Sequence, residues 1–105
     1  MAKARAAKAW RLAAVAYALD VLEALPFPWE PLSEAEVSVV FIVPDNRRRD
    51  WDNAIAARKP LMDGLVDAGV LTDDSNRVVK RLSYGFVVQP GMSGTVIRVE
   101  SFRTE

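Results

Sequence analysis

The chain has no cysteine and no histidine in its 105 residues. Without thiols there are no disulfides, no thiol redox chemistry and no sulfur-ligated zinc. Without imidazole there is no Ser-His-Asp hydrolysis and no histidine acid or base. Any polar chemistry rests on carboxylates, Lys, Arg, Ser, Thr or Tyr, and any bound metal on oxygen ligands, which suit hard cations. Net charge is also lacking, since 14 Lys and Arg balance 14 Asp and Glu. The whole molecule therefore exerts no general pull on a polyanion. No apolar run reaches the roughly 18 residues of a membrane span, and no apolar block ends in a convincing cleavage site. The expectation is a cytoplasmic protein with no membrane association.

Half of the residues are apolar and 27% are charged, the balance of a globular chain. The length fits a single domain, residues 1–105. Residues 3–25 predict a helix, with Leu12, Val15, Leu19 and Leu22 at helical spacing and Trp10, Tyr17 and Val21 widening the stripe. Pro26 and Pro28 end it. Residues 37–43 are apolar on both faces and predict a strand covered on both sides or nearly so. A second helix is expected over 53–68, kinked at Pro60 and stopped by Gly69. Residues 78–88 and 95–102 predict two strands joined by a short loop, hence an antiparallel hairpin. The expected fold is α+β, in the order α-β-α-β-β. It holds a mixed or antiparallel sheet of three or more strands with two packed helices.

Charge is segregated along the chain. Lys3, Arg5, Lys8 and Arg11 precede any acid, at the helix end where the dipole disfavours cations. That placement suits either a solvated terminus or an anionic partner. Arg47-Arg48-Arg49 runs directly into Asp50-Trp51-Asp52, and Asp73-Asp74 follows the second helix. Taken singly, each aspartate pair is ordinary capping or turn chemistry. Together they bracket one helix, and they meet if the following chain returns across the sheet. Two carboxylates about 4 Å apart repel by roughly 4 kcal/mol at an effective dielectric of 20. A divalent cation, Mg²⁺ or Mn²⁺, would remove that penalty. Lys59 lies seven residues after Asp52, close to two full helical turns, and so on the same face. Three arginines beside a metal-ready cluster suggest a phosphate-rich substrate.

The ordered set comprises Arg48-Arg49-Asp50-Trp51-Asp52-Asn53, Lys59-Pro60-Leu61-Met62-Asp63-Gly64-Leu65, Asp67-Ala68-Gly69-Val70 and Asp73-Asp74. It resembles the RusA-type Holliday junction resolvases, especially phage-like members, over residues 37–102. Members of that family usually carry a strand ahead of the first helix, and this chain begins at the helix. The resemblance implies a RusA-like homodimeric nuclease that uses Mg²⁺ to nick a four-way DNA junction symmetrically. It implies Asp50, Asp52 and Asp74 as essential metal-holding acids and Lys59 as a further catalytic residue. Asp73 stands as an additional ligand or a turn residue. Arg47, Arg48 and Arg49, with Lys3, Arg5, Lys8 and Arg11, are the expected DNA contacts. Two other readings stand beside it. One is a non-catalytic DNA-binding or dimerisation module. The other is a Mg²⁺-dependent phosphoryl hydrolase of a small substrate, lacking any Walker-type phosphate loop.

Overall fold

The computed structural model describes residues 2–102, with side chains from residue 5 onward. The elements are α1 (Ala2–Ala24), β1 (Ala35–Val43), α2 (Trp51–Ala56), α3 (Arg58–Asp67), β2 (Val79–Val88) and β3 (Gly94–Ser101). They form a small α+β fold with a three-stranded mixed sheet in the order β2-β1-β3. β1 runs parallel to β2 and antiparallel to β3.

The expected hairpin of the last two strands does not form, because β1 lies between them. The reason is compositional. β1 is the most apolar strand and gains most from two neighbours, while β2 and β3 carry Lys80, Arg81, Arg98 and Glu100, which an edge tolerates. The connector, residues 89–93, has only to cross two strand spacings, about 9.5 Å. It passes the end of β1, where the Gln89 N–H donates to the Val43 carbonyl at 2.8 Å. The sheet is also covered on one face rather than two. Ala35, Val37, Val39 and Phe41 are buried beneath the helices, while Glu36, Ser38, Val40 and Ile42 on the other face are only partly shielded.

The second helix is two helices. Pro60 has no N–H for the carbonyl of Ala56 and its ring crowds that carbonyl, so α2 ends at Ala56. Its successor restarts at Arg58, which places Pro60 in the first turn of α3, where a missing donor costs nothing. At the far end, Gly69 adopts φ +83° and terminates α3 as the sequence predicts. Its N–H donates to the Val66 carbonyl and that of Val70 to the Leu65 carbonyl, a Schellman closure.

The buried side of α1 keeps Trp10 and Leu22 of the expected stripe but departs from the rest of it. Trp10, Ala14, Ala18 and Leu22 face the core, whereas Leu12, Tyr17, Leu19 and Val21 are exposed. The cause lies in α3. A Cβ on Gly64 would stand 2.6 Å from the Ala14 Cβ and 2.8 Å from the Arg11 carbonyl oxygen. The two helices thus meet where neither has bulk, and this contact rotates the small residues of α1 inward. Gly64→Ala is expected to cost about 1–3 kcal/mol through overpacking. Thermal denaturation should show a lowered Tm, partly restored by adding Ala14→Gly. An unchanged Tm in Gly64→Ala would count against this close approach.

Candidate functional site

Asp50 is the N-cap residue of α2, in extended conformation, yet its side chain makes no capping hydrogen bond. It is 67% exposed, and among the described residues its one ionic neighbour is Arg48, with an N–O separation of 3.9 Å. The cap role that would explain it structurally is therefore not used. Asp52 lies exposed in the first turn of α2, where the helix dipole favours an anion. Trp51 between them packs edge-on against Phe86, with ring centroids 4.8 Å apart, and Phe86 in turn meets Phe41 at 5.5 Å. These contacts fix the start of α2 to the sheet.

The break at Ala57 interrupts the unbroken helix on which the shared face of Asp52 and Lys59 depended. Lys59 instead donates to Asp74 Oδ2 at 2.8 Å and lies 3.0 Å from Asp63 Oδ1. The chain after α3 does return, and it brings Asp74 back to the second residue of that helix. Both carboxylates raise the Lys59 pKa above its ordinary value, the hydrogen bond to Asp74 first. Asp73 behaves as a turn residue. Hydrogen bonds from the Ser75 side chain and from the backbone of Asp74 and Ser75 lower its pKa, with a smaller contribution from the charge of Lys59.

Asp63 and Asp67 carry more structure than their sequence context suggests. The Arg11 guanidinium grips Asp67 through Nε at 2.6 Å and Nη2 at 2.9 Å, and reaches Asp63 at 3.8 Å. A ribbon of alternating charge therefore runs Asp67, Arg11, Asp63, Lys59, Asp74 over the exposed side of α3. The spacing of Lys59, Asp63 and Asp67 at i, i+4 and i+8 was the sequence signal for it.

The arginine triplet divides into two roles. Asp45, absent from the expected site, accepts bonds from the Arg47 backbone N–H, Arg47 Nε and Arg49 Nη2, all at 3.0–3.1 Å. Arg49 Nη1 also donates to the carbonyls of Asp45 and Arg47. Arg49 thus holds the loop together, and Arg48, 94% exposed, is the most solvent-facing of the three. Of the basic start of α1, Arg5 and Lys8 are exposed, Arg11 is engaged by the acids of α3, and Lys3 lies outside the residues whose side chains are described. On β2, the Tyr84 hydroxyl is buried with no hydrogen-bond partner among the described residues. Burial raises its pKa, opposed by the charge of Arg58.

Carboxylate oxygens are the donors a hard cation takes. Their placement does not yet make a site, for among the described residues no three acids stand together as a metal-holding group. Also among the described residues, no helix is long and apolar enough to cross a membrane. No family model matches the chain, and no curated protein or solved structure does so either.

The Asp45 clamp has a pH signature. Hydrogen bonds from Arg47, first its side chain and then its backbone, lower the Asp45 pKa from 3.8 to about 2. A depressed folded pKa contributes stability that is present above the unfolded value and lost as pH falls through the folded one. The loop should therefore hold above about pH 4 and loosen as the pH drops towards about 2. A carbon-detected NMR titration of the Asp45 carboxyl should give a midpoint near 2, moving upward in Arg47→Gln. A wild-type midpoint near 3.8 would mean that the clamp does not exist in solution.

Proposed function

We propose that the chain is a Mg²⁺-dependent endonuclease of the RusA type, acting in the cytoplasm as a homodimer on four-way DNA junctions. The observation that carries this reading is the contact of Lys59 with Asp74. These two residues of the ordered motif are 15 apart in sequence and 2.8 Å apart in space. Asp50, exposed and without a capping bond, adds an acid with no structural duty in its own helix.

Mg²⁺, or Mn²⁺ in its place, is the proposed cofactor; Asp50, Asp52 and Asp74 would hold it, which requires them to draw together into a group that they do not form among the described residues. It would supply Lewis-acid activation of the scissile phosphate. Asp74 is paired with Lys59, so a cation at Asp74 competes with that ammonium. The protein's own cations act on the DNA. Arg48, Arg5 and Lys8 project into solvent and would meet flanking phosphates, whereas Arg11 and Arg49 are already satisfied by protein acceptors.

The second reading is a DNA-binding or dimerisation module without catalysis. Two observations favour it: no three acids are grouped among the described residues, and the charge ribbon gives Lys59 and Asp74 a purely structural use.

A synthetic four-way junction with and without Mg²⁺ separates the two. On the nuclease reading, Asp50→Asn, Asp52→Asn and Asp74→Asn each abolish cleavage and leave junction binding unchanged or tighter, because an amide keeps the shape and removes an anion. Asp73→Asn should be milder, costing the stability of a turn rather than chemistry, and Lys59→Ala should slow the reaction. Wild-type cleavage by Asp50→Asn or Asp74→Asn would refute the shared site. Binding without Mg²⁺-dependent cleavage would establish the second reading.

The salt dependence of binding gives an independent check on the contacts. Removing one cation from a phosphate should flatten the slope of log K against log salt by about 1. Arg48→Gln, Arg5→Gln and Lys8→Gln should each do so. Arg49→Gln should act on the loop instead, leaving the slope nearly intact. Equal slopes across all four variants would remove these side chains from the interface.

A further inference from the structure

The free edge of β3 combines unpaired backbone, an apolar groove and a self-complementary charge pattern. The Phe102 N–H donates to the Glu34 carbonyl at 3.1 Å, so even-numbered positions along this strand turn their backbone groups towards β1. Odd-numbered positions, Ile97, Val99 and Ser101 among them, turn theirs to the open side. There they find no backbone partner among the described residues. The edge has no proline, lysine or bulge of the kind that blocks strand addition. Alongside it, between β3 and α1, lies a groove of about 900 Å³. Trp10, Tyr17, Val21, Leu25, Ile97 and Val99 are among the residues that line it.

On the uncovered face of the sheet, β3 carries Arg98, 75% exposed, and Glu100, 48% exposed, which pair with each other along the strand and keep open sides for a second partner. They are two residues apart, on the same side of the strand, and of opposite sign. We infer that β3 pairs antiparallel with β3 of a second copy of this chain, about a two-fold axis at Val99, making one continuous six-stranded sheet.

The register follows from charge. With the axis at Val99, Arg98 stands opposite the partner's Glu100, and the symmetry repeats the pair. An axis at Arg98 would set two arginines face to face, and an axis at Ile97 would leave both charges opposite neutral residues. Val99 is also an odd-numbered position, so at the axis each copy offers its free N–H and carbonyl to the other. Arg98 and Glu100 then fall at the closely spaced, non-hydrogen-bonded positions, where facing side chains are nearest. An antiparallel strand paired with itself is isologous, the symmetry of a closed dimer. β2 is the poorer edge, since its only charges are the cations Lys80 and Arg81. On the covered face, Ile97 and Val99 of both copies extend the floor of the groove, and Tyr17 and Val21 on α1 are the exposed apolar residues at its wall.

The pairing rests on the second-copy part of the proposed function and not on its chemistry, so the test uses no DNA. Sedimentation velocity of the full chain from about 1 µM to about 100 µM should show a dimer. Arg98→Glu and Glu100→Arg each place like charges opposite one another twice, and each should weaken the dimer by about tenfold or more. The double swap Arg98→Glu with Glu100→Arg restores opposite signs and should restore the dimer. Circular dichroism on each variant verifies that these exposed positions leave the fold intact. A monomeric wild-type chain throughout the range overturns the inference. So do single swaps that leave the dimer unchanged, and so does a folded double swap that remains monomeric. A dimer with these charge responses that cuts no junction would leave this interface standing and remove the nuclease reading alone.

Discussion

The absence of a side chain at Gly64 sets the position of everything on the covered face of the sheet. Because α3 offers no Cβ there, α1 approaches until the Ala14 side chain and the Arg11 carbonyl fill the space. This fixes which side of α1 is inward. It also brings Arg11 over the acids of α3, where Asp67 and Asp63 take its guanidinium. Asp63 then lies between Arg11 and Lys59, and Lys59 extends the chain of charges to Asp74. The same placement leaves α1 over α3 rather than over β3, and the groove beside β3 is what remains uncovered.

The ion pairs along this ribbon are mostly exposed, and exposed pairs contribute little individually. Their effect is geometric. Arg11 spans two helices that meet through small residues, and Lys59 ties the returning chain after α3 to the start of that helix. The Asp45 clamp works in the same manner on the loop before α2. One carboxylate holds two arginines, and their hydrogen bonds lower its pKa. In both places a carboxylate that sequence reading would leave to solvent is what positions a cation.

Much of the architecture was legible because it depends on local chemistry. The run of apolar residues from Val37 to Val43 forms the expected strand, Gly69 ends its helix, and the loop residues Gln89, Pro90 and Gly91 do turn the chain. What was not legible depends on non-local competition. The two late strands have the spacing of a hairpin, but β1 gains more from the central place than either would from the other. Leu12, Tyr17 and Leu19 have helical spacing, but Gly64 decides that alanines face inward. Pro60 signalled a distortion, and its consequence fell four residues earlier, at the carbonyl it crowds. That shift also carried Lys59 away from the register counted from Asp52. The Lys59–Asp74 contact was foreshadowed only as a return of the chain after the helix, since no periodicity encodes how far a turn reaches.

The segment from Asp45 to Asp52 holds three arginines and three aspartates, so as a block it is neutral. A polyanion at this loop would respond to arrangement, because total charge offers it nothing. Asp45 is enclosed by Arg47 and Arg49, which leaves its charge already compensated at short range. Arg48, Asp50 and Asp52 remain, all turned to solvent, with Arg48 and Asp50 only loosely paired. A phosphate that takes Arg48 must therefore face Asp50 as well, and it is attracted only to the extent that the charge of Asp50 is balanced by something else. Any anion-binding role for this loop is thus coupled to what neutralises Asp50. That coupling follows from the clamp, since without Asp45 all three arginines would be free to share the task.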